Sequence, residues 1–490
     1  MELQFAKSPL NCLRTNVCEV QEQEQTQEVR LPDGMPDIGR VLGAWGQCVL
    51  RGKQWNSGGI GANGGVMAWV LYAPEDGSEP RTVEVWMPMQ MKWNFREDSR
   101  REGAIRTCWR LRGVDARTLS ARKLMVRACA CVLGEAMEPW ETDVSTPDPM
   151  PEDVQLLRRT YPAMLPREAG EKAYFVEEAL NLPEGCEKLL YCQAQPRVTE
   201  QSVVGGKAVF RGELGIHLLC QCGDGQLRTA DHTVGFSQFS DLDRDYNSDA
   251  ELDVMMAVSA LEPELQEGVL RLKCGLVAQF LVHERRMLEL VEDAYSPNRG
   301  VVPHKERLEL PMILDNSREA VELDAPFDGG KVLDVVFYPD HPQVRRAGGL
   351  AEVELPGVFK VIYHDGQGIL QGDTIRGSSQ WELPVGENVS IRACSEAEGW
   401  PQWSAGALRG QMDVRAITTA DEGLPTVTGL ELGEAARPDP KRPSMILCRA
   451  GEKSLWELAK ASGSTVEAIR AANGLMDEPE QGRMLLIPVT

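Results

Sequence analysis

The chain has 490 residues, which is too long for one hydrophobic core and suggests about three or four domains. Hydrophobic residues make up 42% and charged residues 26%, as is ordinary for a folded protein. The formal net charge of −22 argues against nucleic acid as a partner and against adsorption to anionic lipid. The N-terminus has no continuous apolar signal core, and no apolar stretch approaches the roughly 18 residues of a membrane span. We therefore expect no membrane span and a chain that stays where it is made.

Two stretches of the chain resemble each other and predict a repeat. Residues 31–34 (LPDG) and 182–185 (LPEG) open segments that continue in parallel through a glycine pair and a turn. Each copy closes with a long apolar run, residues 123–134 and residues 269–283, whose imperfect alternation indicates half or fully buried strands. Both copies are predicted to be mainly antiparallel β.

A weaker third copy follows the first two. It can be placed from about Val302 to Ala420 and contains residues 308–311 (LELP), a turn at residues 365–368 and a closing run at residues 412–418. The sequence thus predicts sandwich-like or barrel-like β repeats followed by a linker and a small α+β domain. The predicted boundaries are 1–145, 146–296 and 297–432 for the repeats, 433–444 for the linker and 445–490 for the last domain.

Tryptophans are concentrated in the first repeat, where alternation with apolar neighbours predicts that at least half of them are core residues. This set is Trp45, Trp55, Trp69, Trp86, Trp93 and Trp109. Trp400 and Trp403 lie close to Gly399 and Pro401 in a predicted loop, so we expect them to be exposed. The glycine-rich residues 58–65 precede a strand and not a helix, which predicts a hairpin turn and not a phosphate loop.

We expect no metal site, no cofactor and no catalytic residue. Cys129 and Cys131, like Cys220 and Cys222, share a strand face, but no nearby histidine completes a ligand set. Acidic residues between Asp241 and Asp253 resemble a calcium loop only superficially, since a tyrosine replaces the required glycine, and we expect a solvated acidic loop. The motifs of zinc proteases, serine hydrolases and phosphate-binding loops are absent from the sequence. A pair of catalytic carboxylates stays open, because sequence alone does not give its geometry.

The final segment has the start and stop signals of a miniature strand–helix–helix–strand domain. Ser454 with Glu457, and Ser464 with Glu467, have the spacing of capping boxes that begin two short helices. Asn473 and Gly474 are the residue types that end a helix. Pro-rich residues 433–444 before this domain predict an extended linker that keeps it away from the β body.

Residues 451–460 (GEKSLWELAK), 465–475 (TVEAIRAANGL) and 486–488 resemble the LysM family from end to end. That family commonly binds N-acetylglucosamine polymers between the two loops that flank its helices. The resemblance implies a partner-binding or glycan-binding site formed by Gly451, Glu452, Lys453, Ser454, Trp456, Asn473, Gly474, Leu475 and Met476. The family's usual Gly-Asp-Thr is replaced by a longer GEKS segment here, which puts the binding of sugar in question.

The first repeat (LPDGMPDIGRVL, then GGVMAWVLYAPEDG) resembles the SPOCS domain, also called DUF3794, and so does the second. Tandem SPOCS domains followed by a LysM domain resemble the clostridial SipL family of spore coat proteins. The resemblance implies a non-enzymatic scaffold of coat assembly in the mother-cell cytoplasm, recruited to the forespore surface. Its LysM domain is then expected to bind the SpoIVA-like ATPase of the coat basement layer. Its β repeats are expected to bind other coat proteins. A peptidoglycan-binding cell-wall protein is the alternative, and a glycan hydrolase the third.

Overall fold

The computed structural model describes residues 1–96, 101–147, 149–266, 268–435, 443–451 and 453–489. This part of the chain is mostly β-strand in several antiparallel sheets, with two short helices near its C-terminus. The predicted mainly-β fold class is confirmed. Neither helix is long and apolar enough to cross a membrane.

Repeat 1 follows a short strand, β1 (Glu2–Gln4), and has six strands: β2 (Ala6–Arg30), β3 (Ile38–Asn56), β4 (Gly59–Pro74), β5 (Arg81–Asn94), β6 (Ala104–Ser120) and β7 (Lys123–Thr146). One sheet has the order β2-β7-β6, and β3, β4 and β5 form a meander beside it. The sequence of β5 explains why this segment forms a strand. From Val83 to Trp93 every second residue is apolar and buried, which is the pattern of a strand with one face on a core.

Repeat 2 has the same strand order. Its strands are β8 (Gln155–Asn181), β9 (Cys186–Val204), β10 (Lys207–Cys222), β11 (Leu227–Asp241), β12 (Glu251–Gln266) and β13 (Val269–Tyr295). β8, β13 and β12 lie side by side, as do β9, β10 and β11. In both repeats the first strand therefore pairs with the last, and the predicted closing runs are the central strands β7 and β13.

Repeat 3 follows β14 (Arg299–Leu308) and keeps this order with shorter strands: β15 (Ile313–Pro326), β16 (Lys331–Pro339), β17 (Gln343–Ala347), β18 (Leu350–His364), β19 (Leu370–Pro384), β20 (Val389–Ala397), β21 (Gln402–Ser404) and β22 (Ala407–Ala420). β15 pairs with β22 and β22 with β20, while β16 and β17 share β18 with β19. The turn at residues 365–368 joins β18 to β19, as the sequence predicts. Residues 308–311 lie before the repeat, so the position equivalent to the LPDG turn is residues 327–330, between β15 and β16.

The three repeats meet along their second strands. Trp45 on β3 stacks on Tyr191 of β9 at 5.1 Å between ring centroids. The hydroxyl of Tyr338 on β16 accepts hydrogen bonds from the Gly46 backbone at 3.2 Å and from Gln193 at 2.5 Å. All three aromatic residues belong to one buried cluster. The repeats are therefore packed on one another around a shared core.

The tryptophan predictions are largely confirmed. Trp45, Trp69 and Trp93 are buried, which is half of the set in the first repeat. Trp403 is exposed as expected, whereas Trp400 is partly buried because its ring packs 5.0 Å from that of His217. The glycine-rich segment supplies a hairpin between β3 and β4, and its later glycines continue into β4.

A further sheet, of order β1-β23-β14, adds β23 (Leu424–Ala435) to the body. Residues 433–435 of the predicted linker therefore belong to a strand, and residues 436–442 lie outside the described residues. The C-terminal module, our name for residues 445–489, consists of β24 (Met445–Arg449), α1 (Leu455–Ser462), α2 (Val466–Asn473) and β25 (Met484–Pro488). β24 and β25 pair antiparallel.

The helix caps of the module agree with the sequence in all but one position. Ser454 and Glu457 form the predicted capping box, and Gly474 ends α2 in the left-handed conformation with φ of 62°. The N-cap of α2 is Thr465, whose hydroxyl accepts from the Ala468 backbone, so the prediction of Ser464 was one residue too early. Ala472 is exposed near the end of this helix.

Candidate functional sites

The two loops predicted to bind a partner or a glycan are open. Nothing lies within 4 Å of a Cβ built on Gly451, and Lys453 is exposed. Met476 is 90% exposed, whereas Leu475 packs on the core of the module. Glu452 lies outside the described residues. Lys453 and Met476 are thus the predicted site side chains that the structure leaves facing solvent.

Ser454 and Asn473 have structural tasks. The Asn473 amide donates to the carbonyls of Ile469 at 2.7 Å and Leu486 at 2.6 Å, and its oxygen accepts from the Leu486 amide at 2.7 Å. These three bonds tie the end of α2 to β25. Ser454 is occupied by its capping box with Glu457. The side chains of both residues are therefore engaged within the module.

Trp456 is partly buried, because the module rests on the body of the protein. Its indole N–H donates to Asp293 at 2.9 Å, and Lys460 donates to the same carboxylate at 2.6 Å. Tyr295 packs edge-on against the indole at 4.7 Å and donates its hydroxyl to the Ser464 carbonyl. The prediction that a linker keeps this domain away from the β body was therefore wrong.

Asp293 supplies the negative charge in the contact between the module and the body. Burial opposes its ionisation, but the hydrogen bonds from Lys460 and Trp456, together with Lys305 at 3.0 Å, lower its pKa to about 2. The carboxylate is consequently ionised at neutral pH and holds two cations and one indole. Since Asp293 is 163 residues away from Trp456 in the chain, no local pattern reveals the pair.

The outer face of the two-stranded sheet is an exposed apolar surface, which we call the apolar face. Its side chains alternate with residues that are buried on β25 and partly buried on β24 and that pack on the core of the module. Leu447 lies directly opposite Leu486 in the register of the two strands. The exposed fractions are 51% for Met445, 62% for Leu447, 51% for Met484 and 41% for Leu486. Contiguous exposed apolar residues of this kind mark interaction surfaces.

The cysteines and acidic residues give no metal site within the described ranges. The thiol of Cys129 donates to Glu22 at 3.1 Å, while Cys131, Cys220 and Cys222 are buried. In the acidic segment, Asp241, Asp243, Asp245 and Asp249 are exposed as predicted. Asp253 is an exception, because it lies on β12 and is buried against the guanidinium of Arg106 at 2.8 Å.

A pocket at the junction of the three repeats bears on the hydrolase alternative. It has a volume of about 190 Å³ and is lined by two carboxylates, Glu396 and Asp413, which lie opposite each other on β20 and β22. Burial raises the pKa of Glu396, with Arg110 opposing that effect, and Asp413 lies 3.4 Å from Arg318. The pocket belongs to the junction of the three repeats and not to one repeat.

Buried charges hold the same junction. Arg106 of repeat 1 and Arg415 of repeat 3 both pair with Asp253 of repeat 2, and Arg392 of repeat 3 donates to Glu135 of repeat 1 at 2.9 Å. The two guanidiniums lower the pKa of Asp253 in spite of its burial. Sequence reasoning missed this cluster, because its members come from three repeats.

Comparison with known proteins finds no matching family model, no similar curated protein and no similar solved structure. Membership of the SPOCS and LysM families therefore stays a prediction from the sequence.

Proposed function

We propose that the chain is a non-enzymatic scaffold whose C-terminal module docks on a protein partner through the apolar face. The observation that carries this proposal is the exposed set Met445, Leu447, Met484 and Leu486 on one side of the two-stranded sheet. A groove for sugars is typically lined by polar groups, whereas apolar side chains of this size suit a protein partner.

The hydrogen bonds already made by residues of the predicted groove also favour a protein partner over a sugar. The side-chain amide of Asn473 is hydrogen-bonded within the module, and the indole N–H of Trp456 donates a hydrogen bond to Asp293. Two polar groups of the predicted site are thus unavailable to a ligand in this arrangement. By the family resemblance, the partner we propose is the SpoIVA-like ATPase of the coat basement layer, in the mother-cell cytoplasm at the forespore surface. The β repeats would then contact further coat proteins.

Glycan binding keeps one specific observation in its favour, since the loops around Gly451, Lys453 and Met476 are open to solvent. It is therefore the second candidate function. The two candidates use different side chains, so substitutions separate them.

The test uses the full-length chain, because the module packs on the body through Trp456 and Tyr295. Leu447→Gln and Lys453→Gln are titrated by calorimetry against the purified ATPase and, separately, against soluble muropeptides. We expect Leu447→Gln to weaken ATPase binding at least about fivefold, since a central interface side chain contributes more than about 1 kcal/mol. Lys453→Gln should have little effect on it.

Val302→Gln is the matched control, because Val302 is also an apolar strand residue that is 58% exposed, but on β14. ATPase binding should be unchanged in this variant. Saturable muropeptide binding that Lys453→Gln abolishes, with no response to the ATPase, would favour the glycan-binding function and reject the proposed one.

A further inference from the structure

Two cysteines lie directly opposite each other at one end of the pair of strands β9 and β10 in repeat 2. Cys186 is the first residue of β9 and Cys222 is the last residue of β10, and the two are partners in the antiparallel register. The side chains of directly opposite residues project from the same face of a sheet. The two thiols are therefore neighbours, although the cysteines are far apart in the chain.

The hydrogen bonds of the backbone set the distance between these two cysteines. The Cys186 N–H donates within the turn before β9, and the Cys222 N–H donates within the turn after β10. The ladder bond beside the pair runs from the Gly223 N–H to the Gly185 carbonyl at 2.8 Å. The cysteines thus form a non-hydrogen-bonded pair, in which the Cα atoms lie about 4.5 Å apart. A disulfide spans Cα distances of roughly 4.4–6.8 Å, so this pair can be bridged without movement of the backbone.

The thiols at this end of the sheet differ in their access to solvent. Cys186 is partly exposed, and its neighbours Gly185 and Glu187 are exposed. Cys222 is 2% exposed, and Cys220 on the same face of β10 is fully buried. Burial raises the pKa of both Cys220 and Cys222, so these two thiols are protonated at neutral pH. Cys186 is therefore the thiol that a reagent in solution reaches.

The fold itself does not require cysteine at this pair, because the first pair of β3 and β4 in repeat 1 consists of Ile38 and Pro74. Burial also distinguishes the pair from other cysteines of repeat 2. Cys192 and Cys274 belong to its hydrophobic core and are 1% and 0% exposed, so a reagent in solution does not reach them. The pair at the end of β9 and β10 joins an accessible thiol to a buried one.

We propose that Cys186 is a site of reversible modification by small disulfides and that Cys222 is the thiol that resolves the adduct. Cys186 loses its proton to water, and its sulfur attacks one sulfur of the small disulfide. A mixed disulfide forms at Cys186, and the leaving thiolate takes up a proton. The Cys222 sulfur then loses its proton and attacks the sulfur of Cys186, which releases the second small thiol. Two protein thiols are thus oxidised to one disulfide, while one small disulfide is reduced to two thiols.

Cys220 is the competing partner, because its thiol interacts with that of Cys186. Its backbone position is less suitable, since Cys220 lies opposite Leu189 and is diagonal to Cys186. Diagonal Cα atoms in a sheet are about 7–8 Å apart, which exceeds the range that a disulfide spans. Rotation of the Cys186 side chain towards the directly opposite residue therefore gives the bond to Cys222.

The probe is bis(2-hydroxyethyl) disulfide, added to the reduced full-length protein. It is uncharged, so the exposed carboxylates of Glu184, Glu187 and Asp224 do not repel it. Peptide mapping by mass spectrometry under non-reducing conditions should find Cys186 joined to Cys222, and dithiothreitol should restore both thiols. The melting temperature should rise on oxidation, because the bond constrains the unfolded chain.

Three variants separate the roles of the thiols. Cys222→Ala removes the resolving thiol, so the hydroxyethyl adduct should accumulate on Cys186. Cys186→Ser removes the accessible thiol, so neither Cys220 nor Cys222 should react. Cys448→Ser is the control, because Cys448 is also partly exposed but lies opposite Leu485, and the bond between Cys186 and Cys222 should form as in the unmodified protein. If Cys222→Ala fails to fold, Cys186→Ser and the peptide map decide the assignment.

Three outcomes would overturn the proposal. The first is the absence of a bond between Cys186 and Cys222 in the oxidised, unmodified protein. The second is a bond from Cys186 to Cys220 in its place. The third is a folded Cys186→Ser variant in which Cys220 or Cys222 reacts as fast as Cys186 does in the unmodified protein, because access to the pair would then not depend on Cys186.

Discussion

His217 is clamped between two carboxylates at the contact of repeats 2 and 3. Its Nδ1 lies 2.6 Å from Asp231 and its Nε2 lies 2.8 Å from Asp334, so both ring nitrogens donate and the imidazole is protonated. Burial lowers the pKa of this histidine, but the two carboxylates outweigh burial and raise it to about 9. Tyr191 also donates to Asp334 and adds to the cluster.

We predict that this histidine makes the stability of the protein depend on pH above neutrality. A pKa raised from 6.5 to about 9 favours the protonated folded state by up to about 3 kcal/mol, since one pKa unit is worth about 1.4 kcal/mol. This stabilisation is fully present below pH 6.5 and is lost as the pH rises through about 9. Melting temperatures measured across this range should therefore fall more steeply than in His217→Gln.

The control is His304→Gln, because His304 lies on β14 beside Glu431, away from this cluster. Its melting temperature should follow that of the unmodified protein. Equal pH profiles for His217→Gln and the unmodified protein would contradict the prediction.

At the scale of elements, helix α1 has two tasks. Leu455, Leu458 and Ala459 face the core of the module, and Trp456 and Lys460 face Asp293 on β13. One helix of eight residues therefore both closes the module and fastens it to the body. The apolar face lies on β24 and β25 and takes no part in this contact.

We predict that Asp293→Asn loosens the module without unfolding the repeats. The substitution removes the charge that Lys460 and Lys305 share, and a charged hydrogen bond is worth roughly 1.5–3 kcal/mol. Amide hydrogen exchange in α1 should then become about tenfold faster or more, while exchange in β13 changes little. Asp477→Asn, an exposed aspartate of the same module, is the control. Unchanged exchange in α1 would show that the contact contributes nothing to docking.

Much of the element structure could be predicted because its signals are local. The capping box of Ser454 and Glu457, the glycine that ends α2 and the closing strands of two repeats all follow from neighbouring residues. The error at Ser464 arose because two adjacent hydroxyl residues fit the same N-cap pattern. In repeat 3, residues 308–311 lie before β15, and residues 327–330 form the connection that corresponds to the LPDG turn.

The candidate sites were harder to predict, since they depend on contacts between distant segments. Asn473 is of a residue type that is common in binding sites. Only its contact with the neighbouring strand β25 shows that its side-chain amide is already hydrogen-bonded. Asp253 belongs to an acidic stretch, and only two arginines from other repeats explain its burial. Charge and spacing alone do not distinguish a solvated carboxylate from a buried one.

At the scale of the whole molecule, Asp253 connects the three repeats. It lies on repeat 2 and pairs with Arg106 of repeat 1 and Arg415 of repeat 3. The shared aromatic cluster of Trp45, Tyr191 and Tyr338 reinforces the same junction. The repeats are therefore coupled and should not unfold as separate units.

We predict that Asp253→Ala destabilises all three repeats together. It removes the carboxylate that Arg106 and Arg415 share and leaves Arg106 with Glu135 alone, at 3.4 Å, and breaking a buried ion pair costs about 3–5 kcal/mol. Differential scanning calorimetry should show one transition of the β body, shifted to lower temperature. Asp249→Ala, an exposed aspartate two residues before β12, should melt like the unmodified protein. A variant in which only repeat 2 melts earlier would show that the repeats are independent.

The sheet of order β1-β23-β14 has a consequence for the order in which the chain folds. Leu3 pairs with Leu430. The short strand β1 therefore pairs with a strand that lies more than four hundred residues later in the chain and is synthesised much later. Contacts of such long sequence separation form slowly. During synthesis, the three repeats can assemble while β1 is still unpaired, and the pairing of β1 with β23 marks a body whose third repeat is complete.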